Sequence, residues 1–181
     1  MVPKKIKLLI FDRDGTLIRD TGYPIYKSDL YWMPGSLNLL KELKRRKINA
    51  VIATNQSGVA RGFFSLEEVN QFHNLMLEQI AKAGGHINKI EICPHLLGAK
   101  VKHYSLDCEC RKPKPEMINR LLLSMRCSPE NAIMIGDRIS DIEAGQSAGV
   151  ASYLFDQNNI EKFVLSKIEL LETSMIHESN N

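Results

Sequence analysis

Lys7-Leu8-Leu9-Ile10-Phe11-Asp12-Arg13-Asp14-Gly15-Thr16 runs from apolar side chains straight into two carboxylates two residues apart. The first half is short, apolar and broken by a charged turn with glycine, the pattern of a buried strand over Ile6 to Phe11. Side chains alternate along a strand, so residues i and i+2 share a face. Past the strand end, Asp12 and Asp14 need only converge on one cavity. One carboxylate can then attack an electrophile while the other handles the leaving-group proton. Asp-x-Asp is also common in surface turns, so the pair gains meaning from what the rest of the chain places beside it.

Outward from this stretch, strands and helices alternate. A loop through Thr21-Gly22-Tyr23-Pro24 and Met33-Pro34-Gly35 leads to a helix over Ser36 to Lys47, with Leu37, Leu39, Leu40 and Leu43 on one face. Ala50 to Ala53 is the second strand, ending at Thr54-Asn55-Gln56. Ser65-Leu66-Glu67-Glu68 has a capping-box pattern and opens a helix to about Ala83. Ile90 to Ile92 is the third strand, ending at Cys93-Pro94-His95, and a helix over Pro115 to Met125 has proline in its first turn. Ala132 to Ile135 is the fourth strand, ending at Gly136-Asp137, and Gly149 stops a helix over Ile139 to Ala148. A short strand over Ser152 to Phe155 and a helix over Ile160 to Glu172 follow, and the tail at about 173–181 is expected to fray. The alternation predicts one α/β domain over 1–181, a Rossmann-like parallel sheet with helices on both faces. Ligands of such sheets bind at the carboxyl ends of the strands. Asp12, Thr54, Cys93 and Asp137 all fall at or just beyond such ends.

Bulk properties exclude several classes. The 181 residues suffice for a sizeable core, and 44% hydrophobic with 25% charged residues is ordinary for a globular protein. A net charge of +3 is too weak to argue for nucleic acid. The basic run Lys44-Arg45-Arg46-Lys47 reads as the solvated end of a helix, where cations suit the dipole. No apolar run approaches the roughly 20 residues of a membrane span. A cleaved leader would take Asp12 with it, so a cytoplasmic protein is expected. Nothing in the sequence demands an oligomeric partner, and a monomer is the expectation.

The remaining polar positions fit phosphoryl transfer. Asp137 leaves the fourth strand toward the edge that carries Asp12, and carboxylates with a backbone carbonyl are hard oxygen ligands suited to Mg²⁺. A helix N-cap before Ile139 is the competing role for Asp137. Asp141, one helical turn on, is either an orienting group beside the metal or a surface acid. Thr54 offers a hydroxyl and an N–H to phosphoryl oxygens, and Asn55 and Gln56 add amide donors. In Arg111-Lys112-Pro113-Lys114, Lys112 supplies a charge for the nucleophile and the transferring group, and Arg111 a bidentate phosphate clamp.

Cys93-Pro94-His95 and Cys108-Glu109-Cys110 add three thiols and an imidazole in two tight pairs. Cys₃His is a structural zinc set, and disulfides are the weaker explanation in a cytosolic chain. The four residues predict a zinc loop at about 93–110 that positions Arg111 and Lys112. Cys127 sits apart and packs as a small apolar residue. His73, His86 and His103 read as surface histidines, although His73 on its helix also fits a packing position.

Asp12-Arg13-Asp14-Gly15-Thr16, Thr54-Asn55-Gln56, Lys112-Pro113 and Gly136-Asp137 resemble, in order and over most of the chain, the four motifs of haloacid-dehalogenase-type (HAD) phosphatases. The resemblance implies a HAD-like fold and an aspartyl-phosphate mechanism. Asp12 is then the nucleophile, and Asp14 protonates the leaving oxygen and afterwards activates water. Thr54 and Lys112 stabilise the phosphoryl group, and Asp12, the Asp14 carbonyl and Asp137 hold Mg²⁺. Cys-Pro-His followed by Cys-x-Cys-Arg-Lys-Pro is similar to a zinc-containing, capless subgroup. Its two main activities are removal of the 7-phosphate of D-glycero-D-manno-heptose 1,7-bisphosphate and histidinol-phosphate hydrolysis.

The loop Gln56-Ser57-Gly58-Val59-Ala60-Arg61-Gly62 favours the bisphosphate. An acid in place of Ser57 would suit a cationic amino alcohol, whereas Ser57 with Arg61 suits a second phosphate. Asp20-Thr21-Gly22-Tyr23 also resembles the heptose enzymes, which implies that Asp20 and Tyr23 lie near the sugar. Arg138 is expected at the substrate too, though by resemblance it leans toward the histidinol enzymes. A small phosphorylated sugar is therefore the expected ligand, with neither nucleic acid nor membrane as partner. A zinc-stapled binding module without activity would lack Asp12, Asp14 or Asp137. A nucleic-acid 3′-phosphatase would need a basic groove with stacking aromatics, and the chain has one tryptophan.

Overall fold

The computed structural model describes residues 5–178 of the chain. The elements in order are β1 (Leu8–Phe11), α1 (Ser36–Arg45), β2 (Asn49–Asn55), α2 (Gly58–Arg61), α3 (Leu66–Lys82), β3 (Lys89–Cys93), α4 (Glu116–Ser124), β4 (Ala132–Gly136), α5 (Ile139–Ser147), β5 (Ala151–Leu154) and α6 (Ile160–Glu178). Short 3₁₀ turns lie at Lys27–Asp29, Lys102–Tyr104 and Pro129–Asn131. All five strands are parallel, in the order β3-β2-β1-β4-β5.

The central strands β1 and β4 and the middle of β2 are apolar and buried because both sheet faces are covered there, whereas the edge strands β3 and β5 carry polar residues. Side-chain alternation sorts them into two cores. Leu9 and Phe11, Ala50 and Ile52, and Ile133 and Ile135 pack with α1, α3 and α6 through Leu39, Leu40, Phe72, Met76, Val164 and Ile168. Leu8 and Ile10, Val51 and Ala53, and Ala132 and Met134 pack on the other face with α4 and α5 through Met117, Ile118, Leu121 and Ala144. The register pairs Leu9 with Ala50 and Ile133, and Leu8 with Asn49 and Ala132, so neighbours across the strands point to the same face.

Helix starts follow local chemistry. Ser65 Oγ accepts from Glu68 N–H while Glu68 accepts from Ser65 N–H, the reciprocal cap that the sequence predicts. Two differences from the sequence reading stand out. Helix α2 follows β2 directly, in a stretch predicted as loop. Helix α6 runs to Glu178, six residues past its predicted end, and residues 179–181 of the expected frayed tail lie outside the described residues. Among the described residues no helix is long and apolar enough to cross a membrane.

Helix α5 lies close on β4 and β5 because Gly145 has no side chain. A Cβ there would run into the Ser152 hydroxyl and come within 2.9 Å of the Met134 Cβ. Alanine raises intrinsic helix stability by about 1 kcal/mol over glycine, whereas overpacking a tight site costs about 1–3 kcal/mol. Gly145→Ala is therefore expected to lower the urea midpoint. A raised midpoint would show that α5 can move away from the sheet freely.

Candidate active site

The parallel register brings the strand ends to one edge. Phe11 lies level with Ile52 and Ile135, and Asn55 with Cys93. The ladder continues one step through Asp12 N–H to Ile135 O (2.9 Å) and Gln56 N–H to Cys93 O (2.8 Å). A cavity of about 390 Å³ opens along this edge, walled by Asp12, Asp14, Thr54, Gln56, Lys112 and Asp141.

Lys112 organises the floor. Its ammonium donates to Asp12 Oδ1 (2.5 Å), to Ala53 O (2.6 Å) and to Asp141 Oδ1 (2.7 Å), which occupies all three protons. Burial opposes its charge, but the two carboxylates outweigh burial and hold its pKa above the ordinary value. Asp141 Oδ2 accepts from the Arg138 N–H (3.0 Å) at the start of α5. Asp141 is thus a buried counter-ion of Lys112, and the surface-acid alternative is corrected. Asn55, expected to meet substrate, lines the cavity and also makes a reciprocal pair with the Lys112 backbone. Its Nδ2 donates to Lys112 O (3.1 Å), and its Oδ1 accepts from Lys112 N–H (3.2 Å).

Asp137 is not the N-cap of α5; Arg138 occupies that position. The Asp137 Oδ1 is buried with no hydrogen-bond partner, as is one other side-chain atom among the described residues, Thr16 Oγ1. Carboxylate oxygens of Asp12, Asp137 and Asp141 lie within 4.8 Å of one another. Burial raises the pKa of Asp12 well above the carboxylate range against the pull of Lys112, with Asp141 and Asp14 adding to the rise. Burial and then Asp141 raise Asp137. An orphaned buried oxygen among crowded carboxylates is the environment that a hard divalent cation relieves. Two glycines make the crowding possible. A Cβ on Gly15 (φ +81°) would collide with the Asp137 carboxylate, and one on Gly136 with the Asp141 side chain.

Asp14 is held by three donors. Arg13 Nε meets Oδ1 (2.7 Å), while Arg13 Nη2 (2.9 Å) and Gln56 Nε2 (3.0 Å) meet Oδ2. Gln56 Nε2 also donates to Thr54 Oγ1 (2.8 Å), which leaves the threonine proton available to a ligand. Arg13 is fully buried, a role that the sequence reading missed. His73 is corrected from a surface histidine to a buried one, 4% exposed, with Nε2 3.0 Å from Arg13 Nη1. Burial, then the Arg13 charge, lowers the His73 pKa to about 3, so the ring is neutral. A guanidinium only donates, so Nε2 accepts and the ring proton sits on Nδ1.

The rim carries Asp20, Gly22, Tyr23, Ser57, Arg111, Arg138 and Ser140. Arg138 pairs with Asp20 (2.9 Å), whose other oxygen accepts from Gly22 N–H (2.9 Å). Tyr23 packs edge-on against Phe63, with ring centroids 5.3 Å apart. Arg111 Nη1 donates to His95 O (3.3 Å), tying the rim to the cysteine loop. Arg61, predicted at the substrate, is exposed on α2 and does not line this cavity. Ser140 lines it without having been predicted.

The cysteine–histidine cluster is assembled. Cys93 Sγ lies 3.5 Å from Cys108 Sγ and 3.8 Å from His95 Nδ1, and Cys110 Sγ lies 3.4 Å from Cys108 Sγ and 3.3 Å from His95 Nδ1. All four cysteines are free, and a disulfide would need sulfurs about 2 Å apart. A tetrahedral zinc with bonds of about 2.0–2.3 Å sets ligand atoms about 3.5–3.8 Å apart. The donor set therefore fits zinc in both chemistry and size.

Removing the central cation tests how the floor is held. Lys112→Met leaves Asp12 and Asp141 buried without their counter-charge and should destabilise the metal-free protein by about 3–5 kcal/mol in urea unfolding. An unchanged midpoint would show that the carboxylates need no cation to stay buried.

Comparison with known proteins agrees with this geometry. The HAD-hydrolase-like family model matches residues 109–170. The chain is 36% identical over 169 residues to the D-glycero-beta-D-manno-heptose-1,7-bisphosphate 7-phosphatase of Rhodopseudomonas palustris, which covers 93% of each chain. It is 35% identical over 150 residues to the D-glycero-alpha-D-manno-heptose-1,7-bisphosphate 7-phosphatase of Campylobacter jejuni, covering 83% of this chain and 82% of that one. Among solved structures, the D,D-heptose 1,7-bisphosphate phosphatase of B. bronchiseptica, complexed with magnesium and phosphate, superposes with a TM-score of 0.76 at 28% identity, over 95% of this chain and 99% of that one. Sheet order, motif positions and identity over most of the length converge: the chain belongs to the HAD-type phosphatase family that includes these heptose-bisphosphate phosphatases.

Proposed function

We propose that this chain removes the 7-phosphate of D-glycero-D-manno-heptose 1,7-bisphosphate through an aspartyl-phosphate on Asp12. The observation that carries the reading is the division of charge in one cavity. Asp12, Asp137 and Asp141 crowd the floor, while Arg111 and Arg138 stand at the rim. A floor of this kind suits a metal-assisted attack on one phosphate, and rim cations suit a second phosphate elsewhere on the substrate. No acid replaces Ser57 at the rim, where an amino alcohol would call for one. The relatives named above act on the bisphosphate, and both anomers occur among their names.

Asp12 Oδ1 is held by Lys112, which leaves Oδ2 to attack phosphorus. The bond from phosphorus to the sugar oxygen breaks, and that oxygen takes a proton from Asp14. Asp14 then removes a proton from water, the water oxygen bonds to phosphorus, and the Asp12–phosphorus link breaks to release phosphate. The Thr54 hydroxyl donates to a phosphoryl oxygen throughout. Asp12, the Asp14 carbonyl and Asp137 would hold Mg²⁺, which supplies charge neutralisation for the phosphate and the acids. Cys93, His95, Cys108 and Cys110 would hold a structural zinc that fixes the loop carrying Arg111 and Lys112. Free thiols committed to zinc fit a reducing compartment, and we place the protein in the cytoplasm.

Phosphate release with Mg²⁺ should be measured for both heptose 1,7-bisphosphate anomers and for histidinol phosphate. At least one bisphosphate should exceed histidinol phosphate in kcat/KM by about 100-fold or more, and Asp12→Asn should abolish release. Equal or better turnover of histidinol phosphate would overturn the substrate assignment while leaving the nucleophile standing. Elemental analysis of purified protein should find one zinc per chain that Cys108→Ser loses, with a lower melting temperature and slower turnover at saturating Mg²⁺. Protein without zinc, with melting unchanged by a chelator, would remove the zinc assignment.

A further inference from the structure

Arg13 lies between the two reacting aspartates in sequence, yet its side chain is fully buried beneath them. Four of its five N–H groups are placed. Nε and Nη2 form a fork on the two oxygens of Asp14, Nη2 also donates to Pro24 O (3.1 Å), and Nη1 donates to His73 Nε2. Its guanidinium carbon sits 5.1 Å from the Phe72 ring centroid. Burying an arginine is expensive unless its geometry is fully used. One exposed counter-ion would satisfy charge alone, so the added acceptor from α3 calls for a reason.

The reason lies in what Asp14 has to do. Its carboxylate must meet the leaving oxygen within hydrogen-bond reach, and a displacement of about 1 Å can cost 100-fold in rate. The Asp14 side chain is 17% exposed at the cavity, and a lone carboxylate there could rotate. A planar fork fixes both carboxylate oxygens at once, which a point charge does not. The neutral imidazole of His73 fixes the fork from behind without repelling it.

We propose that Arg13, braced by His73, is a positioning residue that sets the Asp14 carboxyl group, which carries the transferred proton in its acid form, for proton transfer to the leaving oxygen. The proposal rests on the reading of Asp14 as the acid. Arg13 touches neither phosphate nor sugar; it acts through Asp14. The same fork reaches Pro24 O, so the loop carrying Tyr23 is fixed by the side chain that fixes the acid.

The test separates positioning from mere support of the fold by the leaving group. kcat/KM stops at release of the leaving group, so it reports the step that needs the acid. A sugar alkoxide needs a proton to leave, whereas the nitrophenolate of p-nitrophenyl phosphate does not. Arg13→Lys and Arg13→Met should lower kcat/KM for heptose 1,7-bisphosphate by about 100-fold and for p-nitrophenyl phosphate by less than about tenfold. His73→Phe keeps an aromatic ring while removing the Nε2 acceptor together with Nδ1–H, and should show the same split to a smaller degree. It decides the matter if the Arg13 variants fail to fold. Equal losses on both substrates in these variants would overturn the proposal. Asp14→Asn is the reference. A split there without one at Arg13 or His73 removes the positioning role alone, whereas no split at Asp14 removes the acid assignment and this proposal with it.

Discussion

The buried ammonium of Lys112 is the constraint on which the site depends. It reaches across from the segment after the cysteine loop to touch the end of β1 through Asp12, the end of β2 through Ala53 O and the start of α5 through Asp141. Three acceptors for three protons leave it no rotational freedom, and each acceptor belongs to a different element. The charge is tolerated without water because two carboxylates face it, and the carboxylates are tolerated because it faces them. Everything that holds Lys112 in place, from the Asn55 amide on its backbone to the Cys93–Cys110 loop just before it, therefore also holds Asp12.

That arrangement leaves the site with more negative than positive charge at its floor. Lys112 pairs with Asp12 and Asp141, whereas Asp137 Oδ1 has no hydrogen-bond partner among the described residues. Glycine at 15 and 136 lets the backbone pass close to these carboxylates, so the crowding is built into the chain's path. A protein that needed only stability would not leave a buried carboxylate oxygen unpaired, since each such group costs about 1–3 kcal/mol. The unpaired oxygen makes sense as a ligand awaiting a cation, and the burial that raises the Asp12 and Asp137 pKa values is what such a cation would reverse.

Much of this was legible in the sequence, for identifiable reasons. Three apolar runs, over Leu8–Phe11, 50–53 and 132–135, each ending in a polar motif, pointed to a parallel sheet and its functional edge, because strands buried on both faces cannot hide their hydrophobicity. The cysteine–histidine cluster was legible because Cys and His in two tight pairs have few uses other than metal binding. Helix α2 was missed because Gly58 to Arg61 is too short to show a period. For His73 both a surface and a packing position were open, and the buried helical stripe of Val69, Phe72, His73, Met76 and Ile80 decides for packing. Arg13 carried no local signal, and nothing local decided between the two roles open to Asp141. Their partners, His73 and Lys112, are 60 and 29 residues away in the chain, and only the folded edge brings them together. Arg61 failed in the opposite sense: loop chemistry suited a phosphate, but helix α2 turns the side chain to solvent.

Chemistry and selection end up on different layers of the same cavity. On the floor, Lys112, Arg13, Asn55 and Gln56 spend their hydrogen bonds on other protein groups, so the floor is rigid before any ligand arrives. At the rim, the Arg138–Asp20 pair is solvent-exposed, and pairs of that kind contribute about 0–1 kcal/mol. Little is lost when such an arginine exchanges its carboxylate for a phosphate dianion, which offers more charge and a bidentate face. Among the described residues the Arg111 side chain donates one N–H, to His95 O, and the rest of its guanidinium faces the same cavity uncommitted. A rigid floor with exchangeable cations above it lets the rim change its choice of substrate without disturbing the atoms that break the bond. Among the described residues no large cap covers this edge, and the short segments bearing Asp20, Tyr23, Ser57 and Arg138 stand at the mouth.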